Sequence, residues 1–170
     1  MLLDRLFRRT PDAREALRPL WHAVVVAARD PRWYRDLGVA DTVEGRFDMI
    51  TLVLALVLLR LEDEHGRTGE TVRLTELFVD DMDAQLRQSG VGDLVVGKHV
   101  GKLMATLGGR LGALGESLPL GGAAVAEVIE RNVSLLEGAA PRPLADELLG
   151  LRSALSALPV EELLAGRLQP

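Results

Sequence analysis

The chain has 170 residues, no cysteine and a net charge of -5. This charge argues against a general affinity for nucleic acid, which normally comes with a surplus of lysine and arginine on one face. The lack of cysteine excludes a disulfide framework, thiolate metal ligands and a cysteine nucleophile, and it fits a reducing compartment.

This length suits one domain with a sizeable core, and a 48% hydrophobic content with few aromatic residues favours helix over strand. We therefore expect a single all-α domain over residues 1–170. The N-terminus lacks the apolar segment and the small-residue cleavage site of a secretory signal. We expect a mature chain that begins near Met1 and a cytoplasmic protein.

The first substantial helix is predicted over residues 11–29, where apolar side chains recur at steps of three and four along one face. These residues are Leu17, Leu20, Trp21, Val24 and Ala28. Pro19 interrupts the pattern, because it lacks an amide donor, and it either kinks the helix or marks its true first turn. A short helical turn with Trp33 and Tyr34 is expected after Pro31.

Residues 49–59 are apolar at every position except Thr51, and the run extends past Arg60 to Leu61. It is well short of the roughly 18–20 residues that span a bilayer. On a helical wheel its apolar side chains cover most of the circle, so other helices must surround it. Residues 41–44, with Asp41 in first position, resemble a capping box and predict a helix from there to about residue 64. The predicted fold is a bundle of about six to eight helices around this buried central helix.

A polar loop is predicted over residues 65–71, followed by an amphipathic helix over 74–89 that Gly90 ends. The next helix is expected to begin between Asp93 and Gly97 and to end near Gly115. Further helices are predicted over 123–137, 144–158 and 160–167, and Pro159 suits the first turn of the last one.

Glycines continue the apolar face of the helix that ends near Gly115, and we call them the glycine row: Gly97, Gly101, Gly108 and Gly112. The interpretation we favour is that these small residues let the helix pack closely on the central one. The alternative is that the row binds another protein, together with the nearby basic residues Lys98, His99, Lys102 and Arg110.

Few residues have the spacing of a catalytic or metal site. Asp80, Asp81 and Asp83 suggest a metal site, but Ala84 breaks the aspartate-rich pattern of prenyl-diphosphate enzymes, so a solvated acidic face is favoured. Gly90 and Gly92 lack the third glycine and the preceding strand of a dinucleotide fingerprint. The three histidines are not at metal-ligand spacing, and no serine lies in a nucleophile elbow.

We therefore expect no catalytic site, no metal and no cofactor. One alternative is a small helical enzyme or metabolite-binding protein that uses Asp80, Asp81 or His99. Another is a helical adaptor that acts as a homodimer.

Several segments resemble the ubiquinol–cytochrome c chaperone family, and their order and spacing are collectively specific. The segments are ARDPRWY (28–34), LGVADTVEGRFD (37–48), FVDDMD (78–83), GVGD (90–93) and RNV (131–133). The resemblance covers about residues 17–133, and the helices over 144–168 are expected to pack on this core.

The resemblance implies a non-enzymatic chaperone that assists assembly of the respiratory bc1 complex. Its client would be cytochrome b or another bc1 subunit, with a small partner protein and peripheral contact with the inner membrane. The candidate client-binding or partner-binding residues are Asp80, Asp81, Asp83, Asp93, Lys98 and Lys102.

The candidate structural signature comprises Arg46, Asp48, Gly90 and Gly92. We expect Arg46 and Asp48 to form an ion pair that fixes the start of the central helix. Replacement of Arg46 by alanine should then destabilise the domain.

Overall fold

A computed structural model describes residues 13–88 and 93–168, except for the side chains of residues 86 and 93–96. Gly90 and Gly92, and the side chain of Asp93, therefore lie outside the described residues. The described ranges form eight α-helices: α1 (Arg18–Ala28), α2 (Pro31–Arg35), α3 (Val43–Glu62), α4 (Thr68–Gln88), α5 (Asp93–Ser117), α6 (Gly122–Asn132), α7 (Arg142–Ala157) and α8 (Val160–Leu164).

Helix α3 is the buried centre of the bundle, as its all-round apolar character predicts. Every residue from 48 to 58 is buried, and α1, α4, α5 and α7 all contact this helix. Thr51 is the one polar residue of the apolar run, and its hydroxyl lies 2.9 Å from the carbonyl oxygen of Asp48. The predicted all-α bundle around a buried helix is confirmed.

The start of α1 explains how Pro19 is accommodated. A 3₁₀ turn over Glu15–Leu17 leads into α1 at Arg18, so the proline lies in the first turn, where no amide donor is needed. The predicted inward face of this helix is buried as a whole: Leu17, Leu20, Trp21, Val24 and Ala28.

Several helix boundaries differ from the prediction. Helix α1 begins at Arg18 rather than near residue 11, and α8 ends at Leu164 rather than near residue 167. The cap of α3 is Thr42 rather than Asp41, because its hydroxyl accepts the Gly45 amide N–H at 3.2 Å. Helix α4 begins at Thr68 inside the predicted polar loop, and α6 ends at Asn132 rather than near residue 137. At the end of α6 the chain turns extended and pairs with residues 38–40, where Ala40 N donates to Ser134 O at 2.8 Å.

The C-terminal helices share the core with the rest of the chain. The buried Arg60 side chain donates from Nε to Leu155 O at 3.0 Å and from Nη2 to Leu158 O at 3.1 Å. It thereby satisfies carbonyl groups at the end of α7 that have no partner within that helix. One hydrophobic cluster extends from Leu17 to Leu168.

Candidate functional site

A groove of about 420 Å³ opens where the start of α3 meets α4 and α5, and we call it the entrance groove. Its apolar lining comes from all three helices: Val43, Phe47, Ile50, Met82 and Leu103. Ile50 and Met82 are buried, whereas Val43 is 81% exposed because it lies in the first turn of α3, before the helix enters the core. An exposed apolar residue beside a concave apolar floor is typical of a binding site.

Charged side chains form the rim of the entrance groove. Arg29, Glu44 and Arg46 line it beside the apolar residues. Arg46 Nε lies 2.6 Å from Asp41 Oδ1, and both side chains are about half exposed. This hydrogen bond holds the pKa of the Asp41 carboxyl below its usual range.

The predicted ion pair between Arg46 and Asp48 is wrong. Residues two positions apart on a helix do not face each other. Arg46 therefore turns back toward Asp41 at the surface, whereas Asp48 points into the core, where it is 5% exposed.

The partner of Asp48 is Arg110 of α5, another buried residue. Arg110 Nη2 lies 2.5 Å from Asp48 Oδ1, and the second carboxylate oxygen accepts the backbone N–H of Ser134 at 2.8 Å. The guanidinium also donates to Asn132 O at 2.6 Å and to the Thr51 hydroxyl. Buried charges persist only when they are paired and hydrogen-bonded in this way, so the network clamps α3, α5 and the end of α6 together.

This network supports one wall of the entrance groove. The guanidinium carbon of Arg110 lies 5.8 Å from the centre of the Phe47 ring, at a distance typical of a cation–π contact. Phe47 also packs against Phe78 of α4, with 6.4 Å between the ring centres. The position of this groove residue is therefore set by the buried pair and by an aromatic contact.

Comparison with known proteins identifies relatives of the whole chain. A family model described as ubiquinol–cytochrome C chaperone matches residues 35–169. The chain belongs to the ubiquinol–cytochrome c chaperone family. The match continues through α7 and α8, beyond the residues 17–133 that carry the sequence resemblance.

A solved structure supports the assignment to this chaperone family. The crystal structure of a Cbp3 homologue from Brucella abortus is 33% identical and matches with a TM-score of 0.80, covering 98% of this chain and 94% of that chain. The comparison with curated proteins finds no match. Membership of a chaperone family suggests a role in handling another protein rather than catalysis.

Segments that carry the family resemblance meet at the entrance groove. The 37–48 segment supplies Val43 and Phe47, and the 78–83 segment supplies Met82. The 131–133 segment supplies the Asn132 carbonyl that Arg110 binds. The 28–34 segment packs on the end of α1, because Trp33 Nε1 donates a hydrogen bond to Ala27 O at 2.7 Å.

The three candidate aspartates of α4 do not converge on the entrance groove. Asp80 pairs with Arg14 at 2.7 Å and Asp83 with Arg87 at 2.8 Å, while Asp81 lies near Gln85. Met82, placed between these aspartates in sequence, is the residue that reaches the groove. Among the described residues, no group of three or more histidine, cysteine or acidic side chains is arranged to hold a metal ion.

The glycine row faces solvent, so the favoured interpretation that it packs on α3 is wrong. A Cβ atom placed on any of the four glycines would meet no described atom within 4 Å beyond its chain neighbours and the backbone of its own helix. The residues of α5 whose described side chains are buried toward the core are instead Leu107, Arg110, Leu114 and Ser117. Lys98 and Lys102 are exposed and, within the described part of the chain, form no ion pair. Within the described residues, no side chain covers the α5 surface of the glycine row.

One sequence signal could have identified the buried pair. Asp48 and Thr51 lie in the same narrow sector of α3, which makes that sector polar within an otherwise apolar helix. Arg110 is the one charged residue of α5 between Lys102 and Glu116. A polar sector on a buried helix requires a hydrogen-bonding partner, and this arginine was the available one.

No helix of the described residues is long and apolar enough to cross a membrane.

Proposed function

We propose that the protein is a non-enzymatic assembly chaperone for the respiratory bc1 complex and that it holds a hydrophobic segment of its client in the entrance groove. The client we propose is cytochrome b or another bc1 subunit, bound at the cytoplasmic side of the inner membrane. The observation that carries the proposal is the family match over residues 35–169, which include most of the residues that line the groove.

The groove suits a short apolar segment better than a whole folded domain. Its volume of about 420 Å³ is at the small end of ligand pockets, which run from ~300 to 1,000 Å³. It therefore has room for a few side chains of a client. Its rim carries charges of both signs, Arg29 and Arg46 beside Glu44, so it suits a client segment that has polar groups beside its apolar residues.

The proposal is tested by deletion of the gene and complementation with two matched variants. Val43→Lys places a charge in the exposed part of the groove, whereas Leu120→Lys makes the same change at a residue that is 76% exposed and lies outside the groove. We expect the deletion to impair bc1 assembly, Val43→Lys to fail in complementation with an unchanged melting temperature, and Leu120→Lys to complement fully.

The proposed client is tested by purifying the protein from its host after cross-linking. We expect cytochrome b or another bc1 subunit to co-purify with the wild type and to be reduced several-fold with Val43→Lys. Intact bc1 assembly in the deletion strain, together with consistent absence of bc1 subunits from the purified material, would contradict the proposal.

A further inference from the structure

A second groove lies between α4 and α5, and we call it the α4–α5 groove. None of its described lining residues belongs to the entrance groove. It has a volume of about 570 Å³, and its apolar residues are Val72, Val79 and Met104. Val72 is 51% exposed and Met104 is 40% exposed, so two large apolar side chains of this groove are left uncovered by the described residues.

The described chain begins at this groove. Arg14 lines it, and Arg14 Nη1 binds Asp80 Oδ2 at 2.7 Å at the end of the groove nearer the C-terminus of α4. The twelve residues that precede Ala13 are therefore joined to the described chain at one end of this groove.

The composition of residues 1–12 is complementary to this groove. The segment reads MLLDRLFRRTPD and carries apolar side chains at Leu2, Leu3, Leu6 and Phe7. Its three arginines outnumber its two aspartates. Helix α4 has the opposite balance, with two arginines, Arg73 and Arg87, against five acidic residues: Glu70, Glu76, Asp80, Asp81 and Asp83.

We propose that residues 1–12 occupy the α4–α5 groove of their own chain, with Leu3, Leu6 and Phe7 covering Val72, Val79 and Met104. The arginines of the segment then lie near the acidic side chains of α4, which favours this orientation.

The length of the segment fits the groove. The lining residues of α4 run from Thr71 to Asp80, a distance of ~14 Å at 1.5 Å per residue. Twelve residues reach at most ~3.3–3.6 Å each, so the segment can span the groove from its attachment at Arg14. A short tether also raises the effective concentration of the segment at the groove to the millimolar range, about what a weak apolar contact needs.

The test uses the absence of cysteine from the natural chain, because a pair of introduced cysteines is then the only possible disulfide. The full-length variant Leu6→Cys/Met104→Cys places one cysteine in the segment and one in the groove. A second variant, Leu3→Cys/Val72→Cys, samples a neighbouring register. The matched control is Leu6→Cys/Leu120→Cys, with the second cysteine at an exposed apolar position outside the groove.

Disulfide formation requires Cβ atoms about 3.5–4.5 Å apart, so it reports close approach. Under mild oxidation at low protein concentration, we expect at least one groove pair to form an intramolecular disulfide at least ten-fold faster than the control. Adding Arg5→Glu and Arg8→Glu to that pair should slow the reaction several-fold, because these changes remove the charge complementarity.

Three outcomes would overturn the inference. The first is that neither groove pair reacts faster than the control. The second is that the disulfide links two chains, which would make a second copy the occupant of the groove. The third is that vesicles of anionic lipid bind the full-length protein through Leu6 and Phe7 while neither groove pair forms a disulfide above the control, which would make the lipid surface the partner of the segment.

Discussion

Replacement of Asp48 by alanine tests the buried network most directly. The variant leaves the Arg110 guanidinium buried, with its side chain 8% exposed, and without a counter-charge. It also removes the acceptor of the Ser134 backbone N–H. Loss of one partner of a buried pair typically costs ~3–5 kcal/mol, because the remaining charge stays uncompensated.

A loss of this size should be visible in thermal unfolding. For a chain of this length, 1 kcal/mol shifts the melting temperature by roughly 2–4 °C, so Asp48→Ala should melt about 6–20 °C below the wild type. Urea unfolding followed by circular dichroism gives the free energy of unfolding, and an unchanged m-value shows that the two states keep their compactness.

Two further variants separate the unpaired charge from other effects. Asp48→Ala/Arg110→Met removes the charge left behind by the single change, so we expect it to be more stable than Asp48→Ala alone. Arg46→Ala removes only a pair that is about half exposed on both sides, and its melting temperature should fall far less. The reasoning is refuted if Asp48→Ala unfolds within ~0.5 kcal/mol of the wild type, the usual range of a neutral surface substitution.

Three other predictions concern glycine, lysine and aspartate positions. Gly108→Ala should stabilise the protein by ~0.5–1 kcal/mol, because a helical glycine is replaced without a clash. Gly45→Ala should destabilise it by ~1–3 kcal/mol, since the new Cβ would clash with the backbone oxygen of Ala40. Equal stabilities of the two variants in urea unfolding would disprove this. Lys98→Glu/Lys102→Glu should weaken partner capture without lowering the melting temperature, and unchanged capture in a pull-down would count against a partner at this surface. A hydrogen bond from the Arg32 backbone N–H lowers the pKa of the Asp30 carboxyl in the folded state. The Asp30 carboxylate therefore stabilises the fold at pH values above its ordinary pKa of 3.8, and this stabilisation is lost as the pH falls through the lower pKa of the folded state. Asp30→Asn keeps the capping oxygen but not the charge, so its stability deficit against the wild type should shrink in acid, and a pH-independent deficit in urea midpoints would be inconsistent with this.

The central helix could be predicted from sequence because its pattern has one physical solution. A helix that is apolar on nearly all sides is stable in water only if other helices cover it. The first helix was equally predictable, because Pro19 suits a first turn and the apolar spacing fixes the inward face.

The glycine row could not be placed from sequence alone. The spacing of glycines along a helix is the same whether their side of the helix faces a neighbouring helix or solvent. The orientation of α5 is instead set by the ion pair of Arg110 with Asp48 across the bundle. The end of α6 was missed for a related reason. Val133 continues the helical period, but Ser134 and Leu136 make backbone hydrogen bonds to residues 38–40, which local sequence does not reveal.

The long-range hydrogen bonds of the buried Asp48 and Arg60 also determine when the chain can complete its core during synthesis. Asp48 binds Ser134, which is synthesised 86 positions later, and Arg60 binds Leu155, which is synthesised 95 positions later. At ~5–20 residues per second, separations of this length take roughly 4–19 s to synthesise, so α3 is made several seconds before the last helix that covers it. The nascent chain therefore passes through a stage in which an apolar helix is exposed, and a member of a chaperone family must itself survive that stage.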